Sequence, residues 1–466
     1  MQRYGKPAPR ARHESKPMEN ARLIALNILQ DVTRADAYAS LALGKRLRES
    51  RLPQRDRDLV AELVYGTLEN RIRLDYMIEP FLERKDVEPL VRDILRMGAY
   101  QILCLDRVPD SAAVDESVKL ARLLDRAPFT GLVNGVLRGL SREKEAGTLA
   151  WPKREDDPAL YLSVVHSLPP WIVERLIAAY GFEETEAIAA YRPGERFITI
   201  RRTADRLTAP QFEEMMTAKG WIWKPARLAN MYYASGIGDV GIDKEYLQGA
   251  YSVQGESSVL AAMAVGPRRA STVLDACAAP GGKTACLAEM MNGTGRVYAW
   301  DVHEHRVELI RSMVKRLRLD NVRPAVRDAT VRKEDQVLAM DAVLLDAPCS
   351  GLGIMLGKPD VKYRHTPESV ASLVAAQKAL LDTVCQYVKP GGVLVYSTCT
   401  ILPEENQEQV AGFLLRHPEF IADDAGLLAA MPEHVAQYVQ GGMVQLQAHR
   451  DQMEGFFIAR LKRDKR

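Results

Sequence analysis

Two cysteines, Cys349 and Cys399, stand in settings where a thiol could act as a nucleophile. Cys399 ends the apolar, β-type run Leu394-Val-Tyr-Ser-Thr-Cys399, and Cys349 closes Asp346-Ala-Pro-Cys349 after a second apolar run. A thiolate adds readily to an electron-poor ring carbon and so splits one difficult substitution into two easier steps. An acid beside it, here Asp346, can hold a hydrogen bond on the charge that develops, and a second thiol or acid can assist the later elimination. A lone cysteine at a strand end is ordinarily a small apolar packing residue. Two of them, each in a turn at the carboxyl end of a strand of an open α/β sheet, would face one ligand crevice.

The same half of the chain carries the glycine-rich turn Cys277-Ala278-Ala279-Pro280-Gly281-Gly282-Lys283 between a strand pattern and a helix pattern. Glycines there let backbone N–H groups approach a ligand, and the helix start favours negative charge. A Walker A loop needs glycine at position 277, where cysteine stands, although Asp346 after its apolar run imitates a Walker B acid, so a nucleotide-hydrolysing enzyme that depends on Lys283 stays open as an alternative. A dinucleotide G-x-G-x-x-G is absent as well. Yet the next strand pattern ends in Asp301, 20 positions after Gly281, an offset that suits the hydroxyls of a ribose. Ribose recognition without a pyrophosphate loop points to a nucleoside cofactor such as S-adenosylmethionine. Asp328, after what would be the third strand, could reach the adenine amino group. A methyl donor beside two thiols suits methylation of cytosine. Carbon 5 of cytosine is a poor nucleophile until a thiolate adds to carbon 6 and an acid stabilises the charge at the ring nitrogen.

The elements that must position these groups alternate. Strand patterns lie at residues 273–277, 296–300, 341–345 and 392–396, the last after a Pro390-Gly391-Gly392 turn, with helix patterns at 284–291, 305–317 and 367–388. That alternation predicts a doubly wound, mostly parallel α/β domain over residues 246–466. Residues 19–142 instead carry a period of 3.6, with breaks at Pro53, Pro80, Pro89 and Pro109 and a serine cap at Ser111; they predict an all-α bundle. Its arginines (Arg22, Arg55, Arg57, Arg71, Arg73, Arg138 and Arg142) form either an RNA-binding face or an ordinary solvated surface. A polar linker over 143–160 and a small α+β unit over 161–245 come between, and Arg201 and Arg202 at a strand end there could grip phosphate or simply be exposed. The first 18 residues form a basic, proline-containing arm expected to be disordered. With 47% hydrophobic and 27% charged residues, no apolar run that could span a bilayer, and six scattered cysteines without a Cys-x-x-Cys pair, the composition implies a soluble cytoplasmic protein with free thiols, no membrane partner and no metal site.

Two resemblances extend this reading. Arg55-Asp-Arg-Asp-Leu-Val-Ala-Glu-Leu-Val-Tyr-Gly66, Arg96-Met-Gly-Ala-Tyr-Gln101 and Phe129-Thr-Gly-Leu-Val-Asn-Gly-Val-Leu-Arg138 resemble the NusB-type antitermination factor domain, which implies RNA binding. Asp275-Ala-Cys-Ala-Ala-Pro-Gly-Gly-Lys283, Asp346-Ala-Pro-Cys-Ser-Gly351, Tyr396-Ser-Thr-Cys399 with Pro403-Glu-Glu-Asn406, and Glu454-Gly-Phe-Phe-Ile-Ala-Arg460 resemble the RNA cytosine-5 methyltransferase family, the bacterial Sun/Fmu and eukaryotic NSUN group. The resemblance implies a Rossmann-like catalytic domain with S-adenosylmethionine as cofactor. It casts Cys399 as nucleophile and Cys349 as the thiol that assists product release. Asp346 and Lys283 complete the catalytic set, while residues 277–283, Asp301, Asp328 and Asp346 bind the cofactor. A NusB-like domain fused ahead of such a domain is the arrangement of bacterial 16S rRNA methyltransferases, implying a naked or early-assembly small-subunit rRNA substrate. Three positions depart from the family pattern: Arg201-Arg-Thr203, Ile354-Met-Leu-Gly357 and Ala448. Those departures leave open a methyltransferase of the same family with another rRNA or tRNA target, and a non-enzyme alternative is an antitermination-type RNA-binding protein whose second half is vestigial.

Overall fold

The computed structural model describes residues 20–35, 37–84, 86–194 and 197–465; the predicted basic arm lies outside them. The chain folds as two compact units, Met1–Ser167 and Leu168–Arg466.

The first unit is all helix: Ala21–Arg34, Ala39–Glu49, Gln54–Glu69, Arg71–Ile78, Pro89–Cys104, Asp110–Leu123, Thr130–Ala146 and Pro158–His166. The predicted prolines stand at or just before element starts, where a missing N–H costs nothing. Ser111 is not a cap. Pro109 sets the extended entry and the helix begins at Asp110, whose carboxylate accepts from Ser141 and Lys144. The three NusB-like motifs pack on one another at glycines. A Cβ added at Gly66 would lie 1.9 Å from the Tyr100 ring, and one at Gly98 would lie 2.6 Å from Leu137. The arginines do not form one solvated face: Arg55, Arg138 and Arg142 are exposed, whereas Arg22, Arg57, Arg71 and Arg73 are half-buried. The polar stretch 143–160 holds the end of Thr130–Ala146 and the start of Pro158–His166. Just after the latter, the Ser167 hydroxyl accepts from the Ile72 N–H at 2.9 Å.

The second unit holds two sheets. The smaller is antiparallel, in the order β2-β3-β1-β4, from β1 (Ile198–Arg202), β2 (Ile222–Pro225), β3 (Met231–Ser235) and β4 (Tyr251–Val253). The larger contains β5 (Thr272–Asp275), β6 (Arg296–Asp301), β7 (Val322–Val326), β8 (Met340–Asp346), β9 (Val388–Thr398), β10 (Phe420–Ala422), β11 (Met443–Leu446) and β12 (Phe456–Arg463), in the order β10-β12-β9-β8-β5-β6-β7 with β11 on β12. Strands β5 to β9 are parallel, and β12 lies antiparallel against β9. The order reverses between β5 and β8, so a switch-point crevice opens beyond their carboxyl ends. One element differs from expectation. Pro390-Gly391-Gly392 does not precede the last parallel strand but lies inside it, as a bulge: pairing runs Met340 to Val388, skips, and resumes Ala342 to Val393. Proline has no N–H for the ladder, and Gly391 at a φ of 76° takes the left-handed turn that re-enters it. The parallel strands are buried between core clusters on both faces. Among the described residues no helix is long and apolar enough to cross a membrane.

Candidate active site

The first strand of the large sheet delivers the glycine-rich turn. Asp275 ends β5, and the helix Gly282–Met290 begins after Gly281, whose φ of 110° is open only to glycine at low cost. A Cβ at Gly281 would also lie 2.6 Å from Met313. The Ala278 N–H donates to Trp300 O at 2.7 Å, which pins Cys277 and Ala279 to the end of β6. The Ala279–Pro280 peptide is cis, and the Ala279 carbonyl accepts from Arg306 at 3.3 Å. Burial, then nearby carboxylates, push the Cys277 thiol well above its ordinary range.

Acids gather around this turn. Asp275 is fully buried, with one oxygen accepting from Thr284 at 2.6 Å and Oδ1 without a hydrogen-bond partner. Burial pushes its carboxyl up to about 7, opposed by the Thr284 hydrogen bond and helped by the charge of Asp346. Asp301, 2% exposed, accepts from the His303 N–H at 3.2 Å and faces Arg306 at 3.4 Å. Asp328 is exposed, two residues beyond Val326, the register partner of Asp301 on β7. Hydrogen bonds from Thr330 hold its pKa below the ordinary carboxylate value. An orphaned buried oxygen, two strand-end acids and a glycine-rich turn fit a cationic nucleoside, whose sulfonium would be complementary to the surplus of carboxylates.

Lys283, the last residue of the turn, reaches across the crevice to β8. Its Nζ lies 2.7 Å from Asp346 Oδ2, and Ser397 on β9 donates to Asp346 Oδ1 at 2.8 Å. Burial opposes the lysine charge, but Asp346, then Asp275 and Cys399, hold its pKa above the ordinary value. The lysine thus pairs with a carboxylate at the end of β8.

The two thiols meet. Cys349 Sγ and Cys399 Sγ are 3.4 Å apart, each on a half-buried residue, although 50 residues separate them in the chain. The hydrogen bond with Cys399, then burial, then the Cys399 charge, raise the Cys349 pKa well above the usual thiol value. Backbone bonds zip their loops together: Gly353 N–H donates to Cys399 O, and Gly455 N–H to Gly353 O, both at 2.9 Å. Only glycine fits at position 353, because a Cβ would lie 1.9 Å from Gly455 O. Among the described residues no group of three or more His, Cys, Asp or Glu side chains could hold a metal.

Some residues escaped the sequence reading. Ser397 had a usable signal, since it lies two residues before Cys399 on the same strand face and opposite Asp346 in register. Glu405, buried beneath both thiol loops, had none beyond its place in a family motif. Arg201 and Arg202 correct an expectation: both are buried, at 6% and 8% exposure. Arg201 donates to Gln254 at 2.7 Å and pairs with Glu289, and Arg202 is held by Leu207 O and Asn230. A guanidinium that must leave water takes internal acceptors, so neither arginine is available to phosphate.

Both parts of the chain match known families. A family model described as 16S rRNA methyltransferase RsmB/F matches residues 262–462, and one for the NusB family matches residues 19–142. The chain is 37% identical over 448 residues to a probable ribosomal RNA small subunit methyltransferase B of Bacillus subtilis (strain 168), covering 95% of this chain and 99% of the relative. It is 30% identical over 448 residues to the ribosomal RNA small subunit methyltransferase B of Vibrio cholerae, covering 95% and 98%. The crystal structure of PH0851 matches with a TM-score of 0.79 at 23% identity, covering 96% of this chain and 100% of that one. NSun6 from Pyrococcus horikoshii, solved with SFG, matches with a TM-score of 0.53 at 19% identity, covering 63% and 97%. At those identities the structural likeness is one of fold. With both of its parts matched and such relatives aligned over nearly its whole length, the chain belongs to the RsmB/F family of 16S rRNA methyltransferases, which draw their methyl group from S-adenosylmethionine.

Proposed function

We propose that the enzyme methylates carbon 5 of a cytosine in 16S rRNA through a transient bond between Cys399 Sγ and carbon 6. The observation that carries this is the 3.4 Å thiol pair beside the Lys283–Asp346 ion pair at the switch point of the sheet. Cys399, which follows the end of β9 in the Thr-Cys motif, takes the attack, and Cys349, 3.4 Å away, is its partner. The Lys283–Asp346 pair holds a proton against the ring nitrogen as negative charge develops there. S-adenosylmethionine, when bound, supplies an electrophilic methyl group. Residues 277–283, Asp301, Asp328 and Asp346 would hold it. After transfer a base takes the carbon 5 proton and the ring double bond re-forms. The carbon–sulfur bond breaks, and the ring nitrogen returns its proton to the Lys283–Asp346 pair. Cys349 lowers the cost of that departure by donating its S–H to the leaving thiolate.

The substrate we infer is naked or early-assembly small-subunit rRNA, met in the cytoplasm and gripped in part by the helical unit. Transfer of labelled methyl from S-adenosylmethionine to naked 16S rRNA tests this. Cys399→Ala is expected to abolish transfer, and full activity would end the mechanism. Cys349→Ala is expected to trap RNA as a covalent adduct, seen as a slow band on a denaturing gel. Equal labelling of the mature small subunit would overturn the assembly-state reading.

A further inference from the structure

We infer that Glu405 is a positioning residue that sets the distance between the two thiols; this rests on the reading of Cys399 as nucleophile and Cys349 as its partner. Glu405 is 0% exposed and lies six residues after Cys399, in the short helical turn Pro403–Glu405. Its Oε1 accepts from the Ser350 N–H at 2.9 Å and from Gln377 Nε2 at 3.0 Å, and its Oε2 accepts from the Ser350 hydroxyl. Gln377 also donates to Pro348 O at 2.9 Å. The residues on either side of Cys349 are thus tied, directly or through one amide, to a single carboxylate.

The other thiol is tied to the same group. Ser350 Oγ and Thr400 Oγ1 are 2.8 Å apart, and Thr400 follows Cys399. An ionised carboxylate can only accept, so the Ser350 hydroxyl must spend its proton on Glu405. The Thr400 hydroxyl must then donate to Ser350, which fixes one direction for the whole chain of bonds. The Glu405 carbonyl also accepts from the Tyr396 hydroxyl at 2.6 Å, three residues before Cys399. The carboxylate receives neutral donors in these bonds, and charge-assisted bonds of this kind are stronger than bonds between neutral groups. Glutamine would not serve equally, because N–H₂ in place of Oε2 would turn the Ser350 hydroxyl from donor to acceptor and reverse the chain of bonds. The arrangement turns two loops from distant parts of the chain into one rigid thiol pair.

The test uses phenylarsine oxide on the full-length enzyme without RNA. The reagent bridges two adjacent thiols, forming two arsenic–sulfur bonds and releasing water. Bridging of Cys349 to Cys399 is read by mass spectrometry, with Cys349→Ala as the blank. Glu405→Gln is expected to slow bridging about tenfold and to lower kcat for methyl transfer about 100-fold, the scale of a small misplacement of reacting groups. S-adenosylmethionine affinity should stay within about twofold, since no cofactor-side group is touched. Ser350→Ala, which keeps the N–H bond to Glu405, should fall between wild type and Glu405→Gln. Unchanged bridging overturns the inference whatever kcat does, and slowed bridging with unchanged kcat overturns its bearing on the reaction. If Glu405→Gln loses cofactor binding and fails to fold, Ser350→Ala and Thr400→Val are judged by the same two criteria. Slowed bridging together with an active Cys399→Ala enzyme would leave the positioning role standing and remove the nucleophile assignment.

Discussion

The two sides of the crevice are built in different ways. On the β5–β7 side each group is held close to home: Asp275 by Thr284 nine residues on, Asp301 by the His303 N–H, Asp328 by Thr330. On the β8–β9 side the bonds join distant segments: Asp346 to Ser397 across 51 residues, Ser350 to Glu405 across 55, and Gln377 to Glu405 across 28. A cofactor that many proteins must bind can be received by a local loop and a few separate acids. Two sulfurs from separate loops can be kept at one spacing only by a cross-linked network of side chains. The lesson is that substitutions on the first side should act separately and those on the second side together.

The largest expected effect comes where the two sides are joined. Lys283→Met leaves Asp346 without its cation, and breaking such a pair from one side costs ~3–5 kcal/mol; urea unfolding should register that loss, and methyl transfer should vanish. An unchanged midpoint would separate the two sides again. Next is Asp275, whose carboxyl lies at about 7 in the folded protein, above the ordinary value of 3.8. A raised acid favours the protonated fold, so its contribution is full below pH 4 and is lost as pH rises towards 7. Asp275→Asn should therefore gain on wild type across that window, by roughly 2–4 kcal/mol in the limit, measured by unfolding at pH 4 and pH 8. A difference that does not grow with pH would contradict the burial argument. A double-mutant cycle sharpens the comparison further. Ser350→Ala with Thr400→Val should show a coupling of about 1 kcal/mol in stability, whereas Asp275→Asn with Asp328→Ala should add to within about 0.5 kcal/mol. Smallest is Asp328→Ala, an exposed change that should leave stability within about 0.5 kcal/mol. It should weaken S-adenosylmethionine binding about fivefold by calorimetry, the worth of one hydrogen bond.

The same contrast governs what could be read without coordinates. Strands β5 and β6, the glycine-rich turn and the Asp301 offset follow from short-range pattern, and the fold places them as expected. Cys349 and Cys399 were legible as a pair because two parallel strand ends share one crevice, but their contact was not. Pro390-Gly391-Gly392 was misread as a turn because proline and glycine signal a break whether the chain reverses or only bulges, and pairing partners decide which. Arg201 and Arg202 were misread for a related reason. Their acceptors come from residues 207, 230, 254 and 289, which nothing in β1 announces. Glu405 lies in a polar turn with no periodicity, so its burial follows only from closure of both loops above it.

The antiparallel strand β12 carries one more consequence. Residues 457–462 pair with 393–398, so the strand that ends beside Cys399 gains its second neighbour from a segment translated about sixty residues later. Until that segment has emerged from the ribosome, β9 presents an open, apolar edge and Gly455 cannot donate to Gly353. The nascent chain can therefore form the glycine-rich turn after β5 well before the loops that carry Cys349 and Cys399 are joined.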